Sequence, residues 1–172
     1  PIFNTSIMSQ KFTYNTRFPA VEDLRRRARK RIPKFAFDYL IGGCNEELNL
    51  ARNENDFDNI LLKPQYLQTS GEIDMSVELF GRHYSAPFGV SPIGLQGLMW
   101  PNAPEILAKA AAENDIPYIL STVSTSSIER IAEVSQGKAW FQLYHPTENK
   151  LRDDILRRLT EVECPVLVVL VD

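Results

Sequence analysis

The chain has 172 residues, 44% of them apolar and 24% charged, with a formal net charge of -3. This is the composition of a globular domain, and it excludes a disordered or fibrous chain and a general nucleic-acid binder. The longest unbroken apolar run, Val166 to Val171, falls far short of the roughly 20 residues a membrane-spanning helix needs. The opening Pro1-Ile2-Phe3-Asn4-Thr5 lacks the basic-then-apolar pattern of a secretory signal, so a cytoplasmic setting is expected. Cys44 and Cys164 are too distant for a metal knuckle or a CxxC pair and are read as reduced thiols.

In chain order, the first element is a helical stretch from Val21 to about Ile41, interrupted at Pro33 and closed by Gly42-Gly43, whose permissive backbone suits a helix end. Within it, Arg25-Arg26-Arg27-Ala28-Arg29-Lys30-Arg31 is strongly basic. The run reads first as a solvated helix face, with an anionic partner or membrane surface as the lesser alternative. A second helix is expected from Glu46 to Phe57. Alternation of Val77 and Leu79, followed by Gly81-Arg82 and Tyr84, then predicts a short hairpin between Met75 and Ser85.

After Ala86 the pattern changes to alternating strands and helices. Strands are expected at Phe88 to Ser91, Tyr118 to Ser121, Ala139 to Leu143 and Val166 to Val171, each apolar enough to be buried on both faces. The first intervening helix opens at Asn102, with Glu105 three places on, and carries Leu107, Ala110 and Ala111. The second opens at Ser126 with Glu129 in the capping-box place and shows Ile128, Ile131 and Ala132. The third carries Leu151, Ile155, Leu159 and Val162 on one face. Such repeats imply a parallel sheet.

An open doubly wound sheet and a closed (β/α)8 barrel both fit the repeat. After the first strand the sequence reads Ser91-Pro92-Ile93-Gly94-Leu95-Gln96-Gly97, which lacks the GxGxxG of a dinucleotide fold. Polar or special residues instead end all four strands: Pro92 to Gly94, Ser121, Gln142 with Tyr144, and Asp172. This favours a barrel with its chemistry at the C-terminal rim. The fourth strand ends with the chain at Asp172, so the expectation is a single incomplete domain: a helical segment over 1–70, a hairpin over 71–86 and the first half of a barrel over 87–172.

Four stretches then carry a resemblance: Pro33 to Gly43 (PKFAFDYLIGG), Pro87 to Gly94 (PFGVSPIG), Leu120-Ser121-Thr122, and Trp140 to Tyr144 (WFQLY). In order and spacing, the chain from about Leu24 to Asp172 resembles the FMN-dependent 2-hydroxy-acid oxidases and dehydrogenases. The resemblance implies oxidation of a small L-2-hydroxy acid to the 2-keto acid, with electrons passing from substrate C2 to flavin N5 and on to oxygen or another acceptor. It also implies a homotetramer. Tyr39 would fold over the barrel mouth toward the substrate carboxylate, although alone it reads as a buried helix aromatic. Tyr144 would reach the substrate, its alternative being a packed ring with a satisfied hydroxyl. Gln142 would bond the flavin's pyrimidine edge, and Ser121 would touch the ring unless it is only a turn residue. The backbone of Pro92, Ile93 and Gly94 would pass near N5, and Asp172 would partner a catalytic histidine.

No residue matches that histidine: His83 reads as surface or structural and His145 as a rim residue. The lysine, arginine and phosphate-binding glycines of the family also have no counterpart in these residues. The rival reading is therefore a catalytically incompetent half-barrel or interaction module. Ile93 and Leu170 stand where relatives often have threonine, and Val123 where a bulky aromatic is common, which hints at a different or roomier pocket.

Overall fold

The computed structural model describes residues 16–67 and 73–171. The N-terminal segment holds α1 (Val21–Arg29), α2 (Lys34–Ile41) and α3 (Leu48–Asn55), the last followed by a single 3-10 turn over Asp56–Asn59. Asp23 accepts a hydrogen bond from the Ala20 backbone N–H at 3.2 Å and so caps α1. Pro33 sets the start of α2, where its missing N–H costs nothing. At the end of α2 the expected left-handed glycine is not used: Gly42 has φ -77°, and a Cβ there would lie 2.9 Å from the Asp38 carbonyl oxygen. Close approach, rather than positive φ, is what calls for glycine.

Much of the basic run is engaged locally. Arg25 and Arg26 pair with Glu22 and Asp23, Arg27 lies over Phe18, and Arg31 lies over the Trp100 ring at 5.0 Å. These contacts fit a solvated face, and the last ties the helical segment to the barrel.

The hairpin consists of β1 (Val77–Leu79) and β2 (Arg82–Tyr84), with Leu79 opposite Arg82. Its two-residue turn is therefore Phe80-Gly81, one position earlier than the sequence suggested, and both residues have positive φ, as the twist of a tight hairpin requires. Phe80 accepts this backbone while its ring meets Trp140 edge-on at 5.4 Å.

The remaining elements are α4 (Gln96–Met99), α5 (Ala103–Glu113), β3 (Ile119–Ser121), α6 (Ile128–Val134), β4 (Trp140–Leu143), α7 (Asn149–Glu161) and β5 (Leu167–Val169). β3, β4 and β5 form a parallel sheet in that order, and Val90 adds one parallel bridge to Tyr118 beyond β3. Phe88 to Ser91 is thus reduced to a bridge. No described helix is long and apolar enough to cross a membrane.

Among the described strands only β4 is fully buried, as all of them were expected to be; on β5, Leu167 and Val169 are exposed. Phe141 and Leu143 point toward the helices and join Leu120, Ile131, Ile155 and Leu159 in the core. Trp140 and Gln142 point the other way, onto the inner face of the sheet. At its lower end Trp140 donates to Tyr84 Oη at 2.9 Å, so the hairpin closes the N-terminal end of the strands.

Both expected capping boxes fail. Asn102 is left-handed with no side-chain cap, and Glu105 accepts instead from Ser126 Oγ at 2.7 Å. The cap of α6 is Ser127, which accepts from the Arg130 N–H at 3.1 Å. On α5 the buried positions are Pro104, Ala108 and Ala111 rather than Ala110, and on α7 Leu151 is exposed.

Glu129 accepts two bonds from Arg158, at 2.7 and 2.8 Å, and these hold its carboxyl down at about 2. A depressed carboxylate stabilises the fold above its ordinary range, and that stability is lost as pH falls through the folded value. Glu129 is exposed and Arg158 half-buried, which limits the effect to under about 1 kcal/mol. Glu129→Gln is expected to lower the melting temperature slightly at neutral pH, with the gap to the unmodified protein closing as pH drops below about 4. A gap that widens in acid would show that the pair does not act this way.

Candidate active site

The C-terminal ends of the strands carry the polar residues. Parallel pairing sets Ser121 opposite Gln142, and the Ser121 hydroxyl donates to Gln142 Oε1 at 3.2 Å. Both are buried, at 4% and 2% exposure. Gln142 Nε2 has no partner among the described residues, although it is shut off from water. An unpaired buried donor of this kind costs about 1–3 kcal/mol, which calls for an acceptor from outside the described residues.

Above this pair lies Thr122, to which no role was given from sequence. Its Oγ1 donates to the Gln142 carbonyl oxygen at 2.6 Å and accepts from the Tyr144 N–H at 2.9 Å. It thereby fixes how the chain leaves β4. Its only sequence signal was its place beside Ser121. Tyr144 emerges 44% exposed at the mouth, where the buried, satisfied alternative is not observed. His145 follows it, also exposed, whereas His83 lies exposed in β2 with the hairpin at the opposite end.

Pro92 and Ile93 are half-buried and Gly94 is buried. A Cβ on Gly94 would lie 2.8 Å from Val123 Cγ2 and 3.1 Å from the Tyr39 hydroxyl. The Tyr39 hydroxyl of α2 is therefore brought directly over the loop, while the residue as a whole stays 57% exposed rather than buried. The Val123 N–H lies 3.4 Å from Ser121 Oγ and so links this group to the buried pair. Leu170 is bonded through its N–H to the Leu143 carbonyl oxygen at 3.1 Å. Asp172 lies outside the described residues.

The structure thus brings together Tyr39 with Gly94, and Ser121 with Gln142, on one rim of a sheet of parallel strands joined by helices. These features are a carboxamide with a donor left unpaired among the described residues, a hydroxyl beside it, and a loop kept clear of side chain at Gly94. A flavin's pyrimidine ring offers carbonyl oxygens and an N–H that a carboxamide can pair with, so the residues present fit FMN.

Comparison with known proteins agrees. The family model for FMN-dependent dehydrogenase matches residues 28–172, and the chain belongs to that family. It is 39% identical over 153 residues to the L-lactate dehydrogenase of Ectopseudomonas mendocina (strain ymp), covering 89% of this chain and 40% of that protein. It is 40% identical over 124 residues to the (S)-mandelate dehydrogenase of Pseudomonas putida, covering 72% of this chain and 32% of that one. A mandelate oxidase mutant solved with a C4a-OH-FMN adduct superimposes with a TM-score of 0.78 at 33% identity, covering 86% of this chain and 44% of that one. The fold is accordingly a partial (β/α)8 barrel, and the chain spans about two fifths of the length of the first of these relatives.

Proposed function

We propose that the full-length protein oxidises a small L-2-hydroxy acid to the 2-keto acid with FMN, passing the electrons on to oxygen or another acceptor. The observation that carries this reading is the buried Gln142 donor, which lacks a partner among the described residues and sits beside Ser121 at the barrel rim. The reaction removes two electrons and two protons from the substrate, and FMN, when bound, supplies the ring that accepts the electrons. Gln142 and Ser121 would hold the ring's polar edge, with the backbone of Pro92, Ile93 and Gly94 beside it. The hydroxyls of Tyr39 and Tyr144 would orient the substrate's carboxylate and hydroxyl at the mouth. Asp172 would stabilise the protonated form of a histidine base. We propose a cytoplasmic tetramer as the working form.

The full-length protein should purify yellow and be bleached anaerobically by lactate, mandelate or glycolate. A colourless protein that cannot be reconstituted with FMN would sink the reading in favour of a non-catalytic module. Tyr144→Phe is expected to lower turnover by about tenfold or more, the effect of losing one hydrogen bond worth about 1–3 kcal/mol in the transition state. The flavin-to-protein ratio should stay the same. Unchanged steady-state kinetics would remove Tyr144 from the site.

A further inference from the structure

Behind the Pro92 to Gly94 loop lies a polar pair that the function above does not use. Gln96 begins α4, two positions past Gly94, and is 2% exposed. Its Oε1 accepts a 2.9 Å hydrogen bond from the Tyr118 hydroxyl, and Tyr118 is equally buried. Tyr118 immediately precedes β3, and its backbone bridges to Val90 on the strand that leads into the loop. The phenol therefore ties the exit of the loop to the sheet that fixes its entrance.

The loop needs such a tie. Leu95 turns the chain with a left-handed φ of 55°, which is strained for a residue with a side chain, and α4 is a single turn of four residues that cannot hold itself. Two other bonds restrain it, Leu95 N–H to the Val123 carbonyl oxygen and Gly97 N–H to Thr125 Oγ1, both 3.1 Å. Val123 and Thr125 are exposed, so water can replace those bonds. It cannot reach the Gln96–Tyr118 bond, whose loss would orphan a buried acceptor. Burial, with the Glu105 carboxylate nearby, pushes the phenol's pKa up, so it remains a donor throughout the working pH range.

We propose that Tyr118 is a positioning residue that acts through Gln96 to hold the Pro92–Gly94 loop against the flavin, a role that rests on this loop lying at the cofactor. In the full-length protein, Tyr118→Phe keeps the buried ring and removes only the hydroxyl. It should weaken FMN binding about tenfold, the equivalent of one hydrogen bond, and alter the visible spectrum of the flavin that remains bound. Adding Gln96→Leu removes the orphaned acceptor and should restore the apoprotein's melting temperature without restoring FMN affinity. Gln142→Leu is measured in parallel. If Gln142→Leu weakens FMN binding but Tyr118→Phe leaves affinity and spectrum unchanged, the positioning role is overturned while the site stands. Recovery of affinity in the double variant would likewise overturn it, because the bond would then serve stability alone. If neither single variant affects FMN, the reading of the site falls, and this role falls with it.

Discussion

Gln142→Leu is expected to leave the full-length protein nearly colourless while its apoprotein melts no lower than before. Leucine is close to glutamine in volume, and the position lies in a strand that is buried throughout, so an apolar side chain suits its surroundings. The substitution removes a donor that has no partner among the described residues, which relieves a cost to the apo fold. The Ser121 hydroxyl loses its acceptor, a smaller loss, since a hydroxyl can rotate. The bonds that this carboxamide offers the flavin disappear, and FMN affinity should fall by roughly 10- to 100-fold. Titration of apoprotein with FMN, alongside thermal melts, separates the two effects because they have opposite signs. A destabilised apoprotein with normal FMN affinity would make Gln142 a structural residue and sink its role at the cofactor.

The 172 residues expressed alone are expected to self-associate, to retain little FMN and to oxidise none of glycolate, lactate or mandelate. β5 pairs with β4 on one side, and no described strand covers its other edge. Leu167, Val169, Leu170 and Val171 are exposed there, Val171 at 90%. At the opposite edge Phe88 is exposed and Val90 has its single bridge. Apolar edges with free backbone groups are templates for pairing with another chain. Ile60, Leu61 and Leu62 add a further exposed apolar run. Size-exclusion chromatography with light scattering reads the association and absorbance reads the flavin. A monomeric, yellow, active preparation would refute the prediction.

The strand and helix alternation was legible because burial dictates it. β4 reads as a solid apolar strand because both its faces are covered, and α7 shows its helical period because one stripe, Ile155 and Leu159, meets the core. The helix starts were legible at Val21 and Asn102, and within one residue at Ser126, but their capping partners were not. Ser126 and Glu129 have capping-box spacing, yet Ser126 is drawn to Glu105 and Glu129 to Arg158, partners 21 and 29 positions away. Local spacing cannot reveal competition from so far along the chain. α4 was missed because Gly97 is a poor helix former, and its fit against Thr125 is a tertiary matter. At the site, the meeting of Ser121 with Gln142 depends on which residues pair across β3 and β4, which composition and periodicity do not state; only the family resemblance suggested it. The polar link between Gln96 and Tyr118 left no sequence signal, and Thr122 showed only its place beside Ser121, because each is a residue type equally at home in a core or a turn.

The bond from Trp140 to Tyr84 has a consequence at the far end of the same strand. Side chains on a strand alternate between its faces, so a slip of β4 by one position would turn Phe141 and Leu143 toward the inner face and send Gln142 among the helices. A strand buried on both faces penalises such a slip weakly, because both faces of β4 accept apolar groups. The indole N–H has one good acceptor, the Tyr84 phenol, and the hairpin that carries it is fixed by its own two-residue turn. Trp140 thus sets the phase of the strand, and a weakened hairpin would misdirect the carboxamide two residues away without touching any residue at the mouth.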